Sequence, residues 1–157
     1  MKIYILGKSR GLGYELGKLF EHDGYAVKGI DRSNGFDIET DWQNIVDTIE
    51  PESLIILNAY ANGSQKNILE QVINKKHKVV VMGSIAARYP DPEMVEYSKH
   101  KLELENYFMK HALEKKNSDL LIMNLTGKTY QDTKLIYDSI KFWLLNTDII
   151  AFTYRTK

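Results

Sequence analysis

The strongest constraint on the fold lies in the first twenty residues. Lys2-Ile3-Tyr4-Ile5-Leu6 is a run of strand formers that breaks into Gly7-Lys8-Ser9-Arg10-Gly11-Leu12-Gly13, and a helical pattern follows from Tyr14. Strand, glycine loop and helix in that order leave few architectures. Glycines at relative positions 1, 5 and 7 suit a turn tight enough to aim a helix N-terminus, with its unpaired N–H groups and positive dipole end, at a phosphate. The pattern sits at the first strand-to-helix junction, where a dinucleotide fold holds its pyrophosphate. Gly7, Ser9, Arg10, Gly11, Leu12 and Gly13 are therefore the first candidate ligand contacts.

The remainder alternates. Leu12, Leu16, Leu19 and Phe20 recur at helical spacing until Asp23-Gly24, and Tyr25 to Ile30 reads as a second strand. It ends at Asp31-Arg32, near where a dinucleotide fold places the acidic residue that holds the adenosine ribose. Asp31 favours NAD by repelling a 2′-phosphate, whereas Arg10 and Arg32 favour NADP by pairing with one, so both cofactors stay open. Gly35-Phe36-Asp37-Ile38 is expected to form a short third strand and Asp41 to Ile49 a helix closed by Pro51. Ser53 to Leu57 is a nearly all-apolar fourth strand ending in Asn58-Ala59, and Asn67 to Asn74 a helix. Lys78 to Met82 follows as a fifth strand. Pro92 to Lys116 is the longest helical pattern, with Val95, Leu102, Leu104, Phe108, Met109 and Leu113 as expected core residues. Asp119 to Leu125 is a strand, Thr133 to Leu145 a helix, and Asp148 to Thr153 a final strand. Strands this apolar belong to a sheet covered on both faces. The expectation is one α/β domain over 1–157: a doubly wound, parallel, seven-stranded, Rossmann-like sheet in the order 3-2-1-4-5-6-7, with helices on both faces.

Composition narrows the partners. Twenty-one basic residues balance 21 acidic ones, and no long run of one sign marks a nucleic-acid or membrane-surface patch. With no cysteine there is no disulfide, thiolate metal site or cysteine nucleophile, and the four histidines fall in no metal-ligand spacing, so no metal is expected. No apolar stretch reaches bilayer length. A cytoplasmic protein acting on a small molecule is the expectation.

Chemistry concentrates around the fifth strand. It runs into Gly83-Ser84, and 13 residues after Ser84 comes Tyr97-Ser98-Lys99-His100-Lys101 inside the long helical pattern. A spacing of four places Tyr97 and Lys101 on one helix face. Five Tyr–Lys pairs share that spacing in this chain, so the pattern by itself selects nothing. What distinguishes Tyr97 is the upstream serine at the carboxyl end of a strand, the edge where open α/β sheets bind ligands.

Taken in order, Gly7-x-x-x-Gly11-x-Gly13, Asp31, Asp37-Ile38, Asn58-Ala59, Ser84 and Tyr97-x-x-x-Lys101 resemble the short-chain dehydrogenase/reductase family along nearly the whole chain. The resemblance implies an NAD(P)-dependent oxidoreductase that transfers hydride between a nicotinamide cofactor and a carbonyl or carbinol. It implies Tyr97 as proton donor and acceptor, Ser84 on the substrate oxygen, Lys101 on the nicotinamide ribose, and Asp37, Ile38, Asn58 and Ala59 among the cofactor contacts. A phenol of ordinary pKa near ~10 needs a neighbouring ammonium to act as a base at neutral pH. The fourth catalytic residue of the family is an asparagine after strand four, for which Asn67 or Asn62 would serve. The stretch from Asn67 through Ser84 looks more like the branch acting on nucleotide sugars, which keeps an epimerase- or dehydratase-like alternative open. Between the sixth strand and the last helix only Gly127 to Asp132 intervene, where the family commonly carries a substrate loop. That shortness supports a different alternative, a dinucleotide-binding module without turnover, such as a redox sensor or an assembly partner. Apolar Phe108, Ile136, Phe142 and Trp143 suggest a homodimer or homotetramer formed through helices 92–116 and 133–145, as the family commonly pairs them.

Overall fold

The structure is a computed structural model that describes residues 1–115, 119–127, 131–146 and 153–154. Six strands form one sheet: β1 (Lys2–Leu6), β2 (Ala26–Ile30), β3 (Leu54–Leu57), β4 (Lys78–Ser84), β5 (Leu120–Leu125) and β6 (Thr153–Tyr154). Their order is β2-β1-β3-β4-β5-β6 and every pairing is parallel. Five helices connect them: α1 (Gly11–His22), α2 (Trp42–Thr48), α3 (Ser64–Val72), α4 (Val95–Lys115) and α5 (Thr133–Leu145).

Strand periodicity divides the core in two. Successive side chains point to opposite faces, so Tyr4, Leu6, Ile55, Leu57, Val79, Val81, Leu120 and Ile122 lie on one side with α2, α3 and α4. Ile3, Ile5, Leu54, Ile56, Val80, Met82, Leu121 and Met123 lie on the other with α1 and α5. Nearly all are fully buried. A sheet sealed on both faces is why these strands read as continuous apolar runs.

The predicted third strand is absent, and among the described residues the sheet has six strands where seven are expected. After β2 the chain enters a short 3-10 turn, Arg32–Asn34, whose ends are locked by local bonds: the Asp31 carboxylate accepts from Ser33 N at 2.9 Å, and Asp31 N donates to Asn34 Oδ1 at 2.9 Å. Asp37 repeats the device, its carboxylate accepting from Glu39 N at 3.0 Å while its own N–H donates to Asp41. Side-chain bonds to nearby backbone offer the chain an alternative to a sheet ladder, and here they win over residues 35–38. With that strand removed, the predicted order matches the observed one. Of the final predicted strand, residues 148–152 lie outside the described residues; Thr153 pairs with Ile122 in β5.

Two expectations about helices change as well. The buried face of α4 is Ser98, Lys101, Leu104, Glu105, Phe108 and Ala112, while Val95, Leu102 and Leu113 are exposed. Phe108, Ile136 and Trp143 are buried within the chain's own core, so Phe142 alone of the four residues invoked for self-association stays exposed. Among the described residues no helix is long and apolar enough to cross a membrane.

Candidate functional site

Parallel register carries the carboxyl ends of the strands to one edge. Leu6 lies level with Ile30 and Leu57, and Ser84 with Leu125, so Gly7, Asp31, Asn58, Ser84 and Thr126 leave the sheet on the same side. Chain direction diverges between β1 and β3, the kind of point where open α/β sheets leave a crevice. A cleft of about 930 Å³ opens there. It is lined by Gly7, Ser9, Arg10, Asp31 and Arg32 at one end, by Asn58, Ala59 and Tyr60 midway, and by Ser84, Tyr97 and Lys101 at the other.

The glycine loop is shaped by contact. Gly7 has φ +82°, in the left-handed region where glycine carries no penalty. Gly13 faces the loop so closely that a Cβ there would stand 2.1 Å from Gly7 O and 2.9 Å from Asn58 Nδ2. Asn58 Nδ2 in turn donates to Gly7 O at 3.3 Å, joining the two crossing loops. At the start of α1 no side chain caps the first-turn amides, which leaves those donors for a ligand or water. Gly11, Leu12 and Gly13 do not line the cleft; Leu12 is 2% exposed and packs with the core beneath α1.

At the Asp31–Arg32 end of the cleft the charges are partly spent. Arg32 donates through Nε to Asp37 Oδ2 at 2.9 Å and through Nη2 to Glu39 at 3.1 Å. Asp37, held below the usual carboxylate range by the Glu39 amide and by Arg32, faces this ion pair instead of the cleft. Ile38 does line the cleft, with Phe36 and Ile30. Arg10 has no ion-pair partner among the described residues.

The other end of the cleft is built around Lys101. Its side chain is 4% exposed, and Nζ donates to Gln65 Oε1 and to the Met82 carbonyl, both at 2.8 Å. Burial depresses its pKa to about 8, because a desolvated ammonium is costly. The same Nζ sits 5.6 Å from the ring centroids of Tyr60 and Tyr97, within reach of both π faces. Tyr60 hydrogen-bonds His100 Nδ1 through its hydroxyl at 2.9 Å. Ser84 is 8% exposed, and its Oγ accepts from Ala86 N at 3.2 Å as the chain turns out of β4.

Asn67 is a correction. It is exposed and does not line the cleft, because α3 turns its Ile68, Leu69 and Val72 face to the core and Asn67 lies on the other side. Asn62 is also exposed and bonds Glu39. The side chain that does reach Lys101 from α3 is Gln65, 3% exposed. Its signal was present in the sequence: Gln65, Ile68, Leu69 and Val72 share one helical stripe, and a polar residue on a core stripe needs a partner. Tyr60, Tyr89 and Met94 at the cleft wall are further residues without a sequence motif. Among the described residues no cluster of acidic or histidine side chains would hold a metal ion.

No protein-family model matches the chain, and no curated protein matches it. Solved structures do. A short-chain dehydrogenase/reductase from Vibrio parahaemolyticus superposes with a TM-score of 0.68 at 19% identity, over 87% of this chain and 91% of that one. A 3-alpha-hydroxysteroid dehydrogenase from Pseudomonas sp. B-0831, complexed with NADH, gives 0.66 at 14% identity over 98% and 95%. Serine dehydrogenase from Escherichia coli gives 0.72 at 11% identity over 99% and 97%. The fold is the Rossmann-like fold of the short-chain dehydrogenase/reductases.

Proposed function

We propose that this chain, built on that fold, is an NAD(P)-dependent oxidoreductase that interconverts a carbinol and a carbonyl in the cleft at the carboxyl edge of its sheet. The observation that carries the reading is the meeting in one cleft of Gly7, Arg10 and Asp31 with Ser84, Tyr97 and Lys101. The close approach at Gly13 and the uncapped start of α1 fit a pyrophosphate, and Asp31 fits a ribose diol. A bound nicotinamide dinucleotide would supply the hydride acceptor or donor. The protein handles the proton. In the oxidative direction the Tyr97 oxygen takes the proton of the substrate hydroxyl, which Ser84 orients, as the carbinol C–H bond breaks; in reduction it returns the proton to the carbonyl oxygen. The Lys101 ammonium, 5.6 Å from the ring centroids of Tyr60 and Tyr97, brings its positive charge beside this proposed site of proton transfer.

Pairing of Arg32 with Asp37 and Glu39 engages one of the two guanidiniums that would meet a 2′-phosphate and so supports NAD, while Arg10 stays available to NADP. Isothermal titration with NAD⁺, NADH, NADP⁺ and NADPH tests the site. Saturable binding of the NAD pair, followed by hydride transfer to a screened carbonyl that is lost in Tyr97→Phe, is the expected result. Binding by none of the four in folded protein overturns the reading. A second reading, a dinucleotide-binding module without turnover, draws on the connection between β5 and α5, which is too short for a long substrate loop. Binding without turnover on any carbonyl, unchanged by Tyr97→Phe, would favour it.

A further inference from the structure

We propose that Gln65 is a positioning residue for Lys101, clamping the ammonium to the carboxyl ends of β3 and β4 and thereby fixing both its place behind Tyr97 and its charge. The inference rests on the reading of Tyr97 and Lys101 as the reacting pair, and it assigns a residue that no motif marked. Gln65 lies between one obligate donor and two obligate acceptors. Its Oε1 accepts from Lys101 Nζ at 2.8 Å, while its Nε2 donates to the Leu57 carbonyl at 2.5 Å and the Met82 carbonyl at 3.3 Å. An ammonium has no lone pair and a carbonyl has no proton, so only one orientation of the amide satisfies all three neighbours.

The Met82 carbonyl receives both side chains, from Lys101 at 2.8 Å and from Gln65 at 3.3 Å. These contacts close a ring through α3, α4 and the end of β4, two residues before Ser84. Each participant is buried, so water is a poor substitute for any lost partner. Lys101 spends two of its three N–H donors on this ring and keeps one for the cleft. The other titratable groups facing its Nζ are Tyr60 and Tyr97. Glu105, one turn further along α4, is engaged by Arg88.

Glutamate in place of Gln65 would pair with Lys101 yet turn an oxygen toward two carbonyl oxygens. Methionine would leave the Leu57 carbonyl without this donor and remove from Lys101 its only side-chain acceptor among the described residues. The two replacements therefore push the Lys101 charge in opposite directions, which packing alone would not do.

The test is the titration of Lys101 followed by NMR of its side-chain Cε and Nζ in ligand-free protein, for wild type, Gln65→Glu and Gln65→Met, with thermal unfolding as the check on fold. Wild type is expected to titrate near the depressed value of about 8. Gln65→Glu should raise the midpoint by more than about one pH unit, and Gln65→Met should lower it by roughly half a unit or more. Opposite shifts in folded variants support the clamp. A midpoint unchanged in both, or a wild-type Lys101 that titrates like a free lysine, overturns it. If only one variant folds, its shift decides alone. Because no dinucleotide is present, absence of NAD binding in the separate titration would remove the proposed function and leave this result standing, whereas NAD binding with an immobile midpoint would do the reverse.

Discussion

The rings of Tyr60 and Tyr97 meet edge to face, their centroids 4.8 Å apart and their planes inclined at 73°. Tyr60 leaves β3 three residues after Leu57, whereas Tyr97 stands in the first turn of α4, so this contact spans the mouth of the cleft between two elements far apart in the chain. Edge-to-face aromatic pairs contribute about 0.5–1.5 kcal/mol beyond their buried area. Tyr60→Ala is expected to lose at least that amount in urea unfolding. Tyr60→Phe keeps the ring, loses the bond to His100, and should lose clearly less. Equal losses in the two variants would mean that the hydroxyl and not the ring carries the interaction.

The proposed preference for NAD rests on Arg32. Its partners Asp37 and Glu39 are both surface residues, so the pairing is weak and can be undone without harm to the core. Asp37→Asn with Glu39→Gln is expected to improve binding of NADP⁺ by roughly three- to ten-fold while leaving NAD⁺ within about two-fold. Titration calorimetry reads both. Unchanged NADP⁺ affinity would mean that Arg32 does not reach the adenosine ribose.

Lys101 also leaves a mark on stability. Its folded-state pKa is about 8, against an ordinary 10.5, so the cost of burying its charge is present in full below about pH 8. That cost fades as pH rises toward 10.5, where the unfolded chain holds the proton that the folded one has released. Relative to Lys101→Met, wild type should gain up to roughly 3 kcal/mol between pH 7.5 and 10.5. Denaturant midpoints of the two proteins across that range check it, and a constant difference would contradict it.

Gly13→Ala is the sharpest probe of the loop. The new methyl would stand 2.1 Å from a backbone carbonyl, an obstacle that cannot rotate away. A loss of roughly 1–3 kcal/mol in stability is expected from overpacking, together with loss of dinucleotide binding. Retained affinity in a folded variant would show that α1 does not supply the anion contacts.

Periodicity carried the fold, and isolated polar residues carried the surprises. Leu54 to Leu57 and Lys78 to Met82 were readable because strands buried on both faces leave an uninterrupted apolar run. Thr133 to Leu145 was readable to the residue, with Asp132 accepting from Leu135 N as its cap. Gly35 to Ile38 misled because its apolar residues line the cleft from a turn, and the deciding bonds of Asp31 and Asp37 are local ones that also suit a loop. At the site, Ser84, Tyr97 and Lys101, singled out by their order along the chain, line one cleft. Gln65 could not be singled out, since its meaning depends on which carbonyls the neighbouring strands present to it. Asn67 was chosen by residue type, and a rotation of two residues around α3 took it out of reach.

The placement of β1 has a consequence for how the chain reaches this structure. The strand nearest the amino terminus lies inside the sheet, with β2 on one flank and β3 on the other, and its partners Ile30 and Leu57 are separated from Leu6 by one and then two intervening helices. No hairpin is available to hold it in the meantime. Every strand pairing in this sheet closes a long loop before it gains a ladder bond, which places the chain among slow, high contact-order folders. During synthesis the apolar run Ile3 to Leu6 stays without a full set of neighbours until Leu57 has emerged, an interval in which a chaperone would find it before its own strand does.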